Sequence, residues 1–220
     1  MLARDLLSDE IPSLSPNDSG DTALRWMDEY KLTHLCVVDG VHFLGTISEN
    51  DILGLTDIGE SIKTNQDQFN TAFIRKDQHI FEAIKMVHDH DLSIIPVLDI
   101  QGPYVGCISI SKLMDSVASL PMVNNPGATI VLELSLIDFS LQVISGIIEE
   151  NNARILGTYV QDKDDSALLE LTIKLNISDS SAIISSLQRH DFKVVYHEND
   201  QKDNNNLKDR YDALMNFLKV

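Results

Sequence analysis

Two nine-residue stretches hold the side chains best placed for chemistry: GTISENDIL at 45–53 and GCISISKLM at 106–114. Each opens on Gly and carries Ser three residues later, Ser48 and Ser109, where a strand-like apolar run gives way to a helix-like one. Three residues further they diverge, to Asp51 in the first and Lys112 in the second. A serine at such a junction with an acid three residues on is close to a capping box, the hydroxyl accepting a helix N–H and the acid reaching back. Asp51 presents acceptor oxygens, whereas Lys112 is a donor only and reads first as an exposed helix lysine.

Other constellations carry less. In VHDHDLS, His88 and His90 are two apart; on a helix they diverge by about 200°, so they read as a solvated helix end and not as metal ligands, which need a spacing of three or four. The chain has no nucleophile elbow, no phosphate loop and no zinc-type Cys/His spacing, which points away from an enzyme. Cys36 in HLCVV and Cys107 in GCISI lie among strand-type residues, where buried thiols acting as small hydrophobes are expected. With 17 Lys and Arg against 34 Asp and Glu, the net charge of -17 repels phosphate backbones and anionic lipid, so neither nucleic acid nor membrane is expected as a partner. No run approaches the ~20 apolar residues of a membrane span and MLARDLLSDEIPS has no signal-peptide core, so the expected location is cytoplasmic.

The elements that must position these residues occur twice. DTALRWMDEYKLTHLCVVDG lies over HIFEAIKMVHDHDLSIIPVLDI with Ala23 on Ala83 and Val37 on Val97, an offset of 60, and Gly45 on Gly106, an offset of 61. The extra residue falls in the hairpin turn, where insertions are tolerated. Each unit reads as an extended lead-in (12–14, 71–74), a helix with Ala23, Leu24 and Met27 or Ile80, Ala83, Ile84 and Val87 inward, a hairpin, and a second short helix. One such unit would leave an apolar face open, and two copies can cover each other.

Residues 126–198 follow a different order. PGATIVLELSL reads as a strand, SLQVISGIIEENNA as a helix with Leu141, Ile144, Ile147 and Ile148 inward, and RILGTYVQDKDDSALLELTIKL as two strands about the turn KDD. DSSAIISSLQRH reads as a helix capped by Asp179 or Ser180, and FKVVYHE as a last strand. Residues 199–206 read as a polar linker, and 207–220 as an amphipathic helix with Leu207, Tyr211, Leu214, Met215 and Leu218 on one face, to dock on the protein itself or on a partner.

The order of elements, the strand ending IIPVLD (Cys36 replacing Pro in LCVVD) and the Gly-x-x-Ser-x-x-Asp stretch resemble a tandem pair of CBS domains, over 1–60 and 61–122. The β-α-β-β-α-β order of 126–198 resembles an ACT domain. Together they resemble the acetoin-utilisation AcuB-like family of bacterial CBS-ACT regulators. The fold class so implied is α/β (α+β): two CBS units as a pseudo-symmetric pair, a ferredoxin-like ACT-like domain and a C-terminal helix.

The resemblance implies a non-catalytic regulatory module with no resident cofactor, sensing an adenosine-containing ligand (AMP, ADP, ATP or S-adenosylmethionine). Ser48 and Asp51 would hold its ribose, and a helix N-terminus lies nearby for an anion. In the second unit Ser109 is kept, and Lys112 implies either an idle cleft or a phosphate contact, so at most one ribose-carboxylate pair is expected per chain. Phe139 stands about where an ACT amino-acid site needs Gly, which argues against amino-acid binding. A homodimer is expected. The alternative is a ligand-free CBS-ACT dimerisation adaptor for a protein partner.

Overall fold

The computed structural model describes residues 1–137, 139–163 and 167–198; the expected linker and C-terminal helix lie outside them. The chain divides into two compact units, Met1–Ala118 and the part from Ser119 onward.

In the first unit, α1 (Gly20–Tyr30), β1 (His34–Asp39), β2 (His42–Ser48) and α2 (Glu49–Leu53) are followed by β3 (Ile74–Arg75), α3 (Ile80–His90), β4 (Ile94–Leu98), β5 (Tyr104–Ser109) and α4 (Ile110–Ala118). β1 pairs antiparallel with β2, β4 antiparallel with β5, and β3 lies parallel to β4. The repeat extends to detail: the register shifts at Val37/Val38 and again at Val97/Leu98, and a parallel bridge from Leu14 to Val37 mirrors the Ile74–Val97 pair. α1 starts at Ser19, whose Oγ accepts the Thr22 N–H at 3.3 Å, and it buries Ala23 and Met27. α3 buries Ile80 and Ala83, but Ile84, expected inward, is 40% exposed. It lies at the edge of the apolar stripe, on the side of the exposed Phe81.

Neither repeat closes its own core. The cluster of Leu14, Ala23, Met27, Val37 and Ile47 is completed by Ile62 and Phe69, from the segment that leads into the second repeat. The cluster of Ile74, Ile80, Val97 and Ile108 is completed by Ala3 and Leu6, which precede the first. Backbone bonds fasten both segments: Thr46 N–H to the Asn70 carbonyl at 2.8 Å and back at 3.0 Å, and Ser8 N–H to the Cys107 carbonyl at 2.8 Å. Gly45, at φ 149°, admits this approach, since a Cβ there would lie 2.6 Å from that of Phe69. Between the repeats, Cys36, Val38, Ile94 and Cys107 form a third buried cluster, flanked by the stacked rings of Phe43 and Tyr104. Both cysteines are free and buried, and burial, with the Cys107 contact second, pushes the Cys36 thiol well up.

The second unit contains α5 (Pro121–Asn124), β6 (Thr129–Ser135), α6 (Leu141–Glu150), β7 (Ile155–Asp162), β8 (Leu168–Leu175), α7 (Ser181–Arg189) and β9 (Lys193–Glu198). Its sheet runs β7-β8-β6-β9 with every neighbouring pair antiparallel, a ferredoxin-like βαββαβ arrangement. Ile130, Leu132 and Leu134 alternate along β6 into a core shared with Ile144, Ile147 and Ile148 of α6 and Ile183 and Leu187 of α7. Leu141, expected inward, is 44% exposed because it opens the first turn of α6 before the helix reaches the sheet. Of the two expected caps of α7, Asp179 is the one whose carboxylate accepts the Ser181 N–H, at 3.0 Å. Of the expected turn KDD, only Lys163 lies among the described residues.

Glu133, on the β6 face opposite that core, receives hydrogen bonds from Lys163 at 2.6 Å and from Lys193. These hold its carboxyl down at about 2.

Two outcomes follow from this packing. Phe69→Ala removes a side chain from the repeat that Phe69 does not adjoin in sequence, and should cost about 3 kcal/mol in urea denaturation of the full chain; a loss below about 1 kcal/mol would mean that the segment only rests on that repeat. Glu133 has a depressed folded-state value, so its ionised form favours the folded state above the ordinary value of 4.5 and this contribution fades as pH falls toward about 2. The stability difference between the wild type and Glu133→Gln should therefore shrink across that window. A difference independent of pH would remove the ion cluster as its source.

Candidate functional site

The first candidate stretch folds as β2 running into α2 with Ser48 at the N-cap. The Ser48 hydroxyl oxygen accepts the Asp51 N–H at 3.1 Å. In return Asp51 Oδ2 accepts the Ser48 N–H at 3.0 Å and its O–H at 2.6 Å. This is a complete capping box, and it engages one oxygen of the Asp51 carboxylate while Oδ1 takes no part in it. At the second stretch, Ser109 Oγ accepts the Lys112 N–H at 3.2 Å, but a lysine cannot accept in return. The Ser109 N–H instead approaches Ser8 Oγ, at 3.4 Å. The N-terminal segment thus supplies the acceptor that Asp51 supplies in the first repeat, and the Lys112 side chain has no capping duty.

Each junction opens onto a cleft completed by the other repeat. The first cleft, about 430 Å³, is walled by Thr33, His34 and Ser48–Asn50 of the first repeat and by His90 and Asp91 at the end of α3. Asp51, turned toward Ser48, is not part of the wall. The second cleft, about 750 Å³, is walled by Ser93, Ser109–Lys112 and Asp115 of the second repeat and by Tyr30–Leu32 at the end of α1. Residues 8–11 of the N-terminal segment close its remaining side. The sequence offset pairs Tyr30 with His90 and Lys31 with Asp91, and both helices end identically there, with left-handed φ of 55° at Lys31 and 51° at Asp91.

Charge distinguishes the two clefts. The first gathers Glu49 and Asp91, with Asp51 behind Ser48. The second has Ile110, Lys31 and Lys112 at the corresponding places, together with Asp9, Glu10 and Asp115. The lysine at 112 therefore does not leave the second cleft without carboxylates. His34 is held below its ordinary value by burial, against the opposing pull of Asp51 and Asp91. Its Nδ1 accepts the Ser93 N–H at 3.3 Å, and Ser93 Oγ accepts the Thr33 N–H at 3.1 Å, so one side-chain chain ties the walls of both clefts.

All four sequence-derived residues, Ser48, Asp51, Ser109 and Lys112, stand at or directly behind these clefts. Tyr30, Lys31, Asp91, Ser93 and Asp115 join them from positions that the two stretches alone do not reveal; for Lys31 and Asp91 the signal is the 60-residue offset itself. In the second unit, Phe139 is 37% exposed in the loop leaving β6, beside Leu136 and the almost fully exposed Ile137.

Residues 3–56 and 69–119 match the family model of the CBS domain. Among solved structures the chain is similar to a CBS domain pair/ACT domain protein from Thermotoga maritima, with 21% identity over 53% of this chain and 96% of that one and a TM-score of 0.48. It is also similar to CBSX2 of Arabidopsis thaliana in complex with AMP, with 20% identity over 53% and 95% of the two chains and a TM-score of 0.45. A third similar structure is the CBS domain of a bacterial CNNM/CorC family Mg2+ transporter in complex with ATP, with 12% identity over 54% and 87% and a TM-score of 0.44. Among the described residues no helix is long and apolar enough to cross a membrane.

Proposed function

This chain carries a tandem CBS domain pair at 3–56 and 69–119, and from that premise we propose that it is a non-catalytic, cytosolic regulatory module whose pair binds an adenosine-containing ligand. The observation that carries this reading is the composite build of both clefts: each joins the Ser-bearing junction of one repeat to the helix end of the other. A ligand seated there touches both repeats, so its binding energy depends on their relative angle and biases it. We assign the ribose to Ser48 and to the Asp51 oxygen left outside the capping box, with Ser109 and Lys112 serving the second cleft. The βαββαβ unit is read as ACT-like and the whole as an AcuB-like regulator, with Phe139 opposing use of the ACT-like loop for a free amino acid.

The alternative, a ligand-free adaptor, is favoured by one observation: Ser48 and Asp51 satisfy each other as a cap, so their presence is explained without a ligand.

Calorimetry against AMP, ADP, ATP and S-adenosylmethionine separates the two. Two hydrogen bonds to a charged group, at roughly 1.5 kcal/mol or more each, make Asp51→Ala at least about 100-fold weaker. No binding to the wild type, or undiminished binding to Asp51→Ala in protein shown to be folded, overturns the assignment.

We further propose a homodimer that covers the apolar surface of α3 and α4, where Phe81 is 65%, Met114 57% and Ile84 40% exposed. Sedimentation velocity at micromolar concentration should show a dimer that Phe81→Asp weakens. A stable wild-type monomer would contradict it.

A further inference from the structure

The two clefts are copies of one another with their charge inverted, and the inversion is concerted. Asp51 becomes Lys112 at the start of the second helix, and Asp91 becomes Lys31 at the end of the facing helix of the other repeat. A third position on the same wall changes from Glu49 to Ile110. One exposed substitution is ordinary drift, but Lys31 and Lys112 lie 81 residues apart (112 minus 31) in different repeats and meet only because the clefts are composite.

We propose that the second cleft is an anion-selective site in which Lys31 and Lys112 hold the phosphate of a phosphorylated ligand, and that the first cleft excludes phosphate. The nucleoside part of that ligand rests on the adenosine reading above; the phosphate part does not.

Four features support the pairing. The cavity of about 750 Å³ is the larger of the two. Lys112 is in no ion pair among the described residues, and Lys31 meets only Asp28, at 3.0 Å on the open surface, a pair that a bound anion readily outcompetes. Tyr30, half-buried on the same wall where the first cleft has His90, provides an aromatic face for a base. Asp9, Glu10 and Asp115 provide acceptors for hydroxyl groups. In a chain of net charge -17, these carboxylates would repel a phosphate, so one lysine is a poor match for it and two from opposite sides are a better one. In the first cleft Glu49 and Asp91 face the cavity, no lysine or arginine lines it, and of its two histidines, His34 and His90, the first is held toward its neutral form, so a phosphate would meet no counterpart of Lys31 and Lys112 there.

The test uses Lys31→Asp, which copies Asp91 in the same left-handed cap, and Lys112→Gln, which removes the charge without installing the carboxylate that Asp51 presents in the first repeat. Calorimetry on the full chain with inorganic pyrophosphate, ADP and adenosine, in moderate salt, should show pyrophosphate and ADP weakened about tenfold or more by either substitution and about 100-fold by both, with adenosine unchanged. Circular dichroism melts establish that the variants fold. Binding of ADP that is indifferent to both lysines overturns the anion site while leaving the adenosine reading in place. Lysine-dependent pyrophosphate binding with no affinity for adenosine or ADP does the reverse. Absence of binding by pyrophosphate and ADP alike overturns the proposal outright.

Discussion

Everything in the first unit depends on one packing constraint: a CBS repeat of this chain cannot bury its own apolar face. Ile62 and Phe69 reach back to the first repeat, Ala3 and Leu6 reach forward to the second, and Cys36, Val38, Ile94 and Cys107 fill the space between. Burying such side chains contributes about 1.5 to 3 kcal/mol each before ordering entropy is subtracted, so the exchanged segments are worth a large part of a domain's net stability. The two repeats are thereby a single cooperative body with an internal pseudo-dyad. A ligand bound at their junction, as proposed above, would act on a body whose halves are already coupled.

The same exchange settles how a capping residue can be lost. A Ser N–H stands half-buried at the mouth of each cleft and is served by a protein acceptor in both, which spares it the cost of a donor left unmade. In the first repeat Asp51 provides that acceptor from three residues away. In the second the provider is Ser8, 101 residues away in sequence and delivered by the exchanged N-terminal segment. Position 112 is then released from its structural duty. A lysine there is a change that this topology permits without destabilising the helix start, and its freedom is what allows the two clefts to differ in charge.

How much of this was legible in the sequence follows from the range of each interaction. Periodicities of 2 and 3.6 report which face of an element is buried, so the doubled unit, the hairpins and the alternating core of β6 could be read directly. Ile84 and Leu141 were misplaced because each lies where an apolar stripe ends, at its margin or in its first turn, and periodicity does not say how wide the facing sheet is. The partners of Ile62 and Phe69 were out of reach, because nothing in an apolar side chain states which repeat it will enter. The Ser48–Asp51 box was legible, being local. The walls of the clefts were not, since attention to each Gly-x-x-Ser stretch looks along one repeat whereas the cleft lies between two.

The offset of 60 residues nevertheless contained the missing wall. A pseudo-dyad sends the helix end of one repeat to the junction of the other, so the residues that complete a site in a tandem pair are found by reading the alignment crosswise: Lys31 belongs with Lys112, and Asp91 with Asp51. Read along each repeat, the same four residues are two unrelated mixed pairs, one Lys and one Asp in each. Read crosswise they become two like-charged pairs, Lys31 with Lys112 on the walls of the second cleft and Asp91 on the wall of the first with Asp51 behind Ser48. Thr33 and His34 of the first cavity are hydrogen-bonded to Ser93 of the second, so a change of angle that tightened one would reach the other through those bonds. The repeat is thus the source of both the stability of the pair and the asymmetry of its sites, one through shared packing and the other through divergence at positions that packing leaves free.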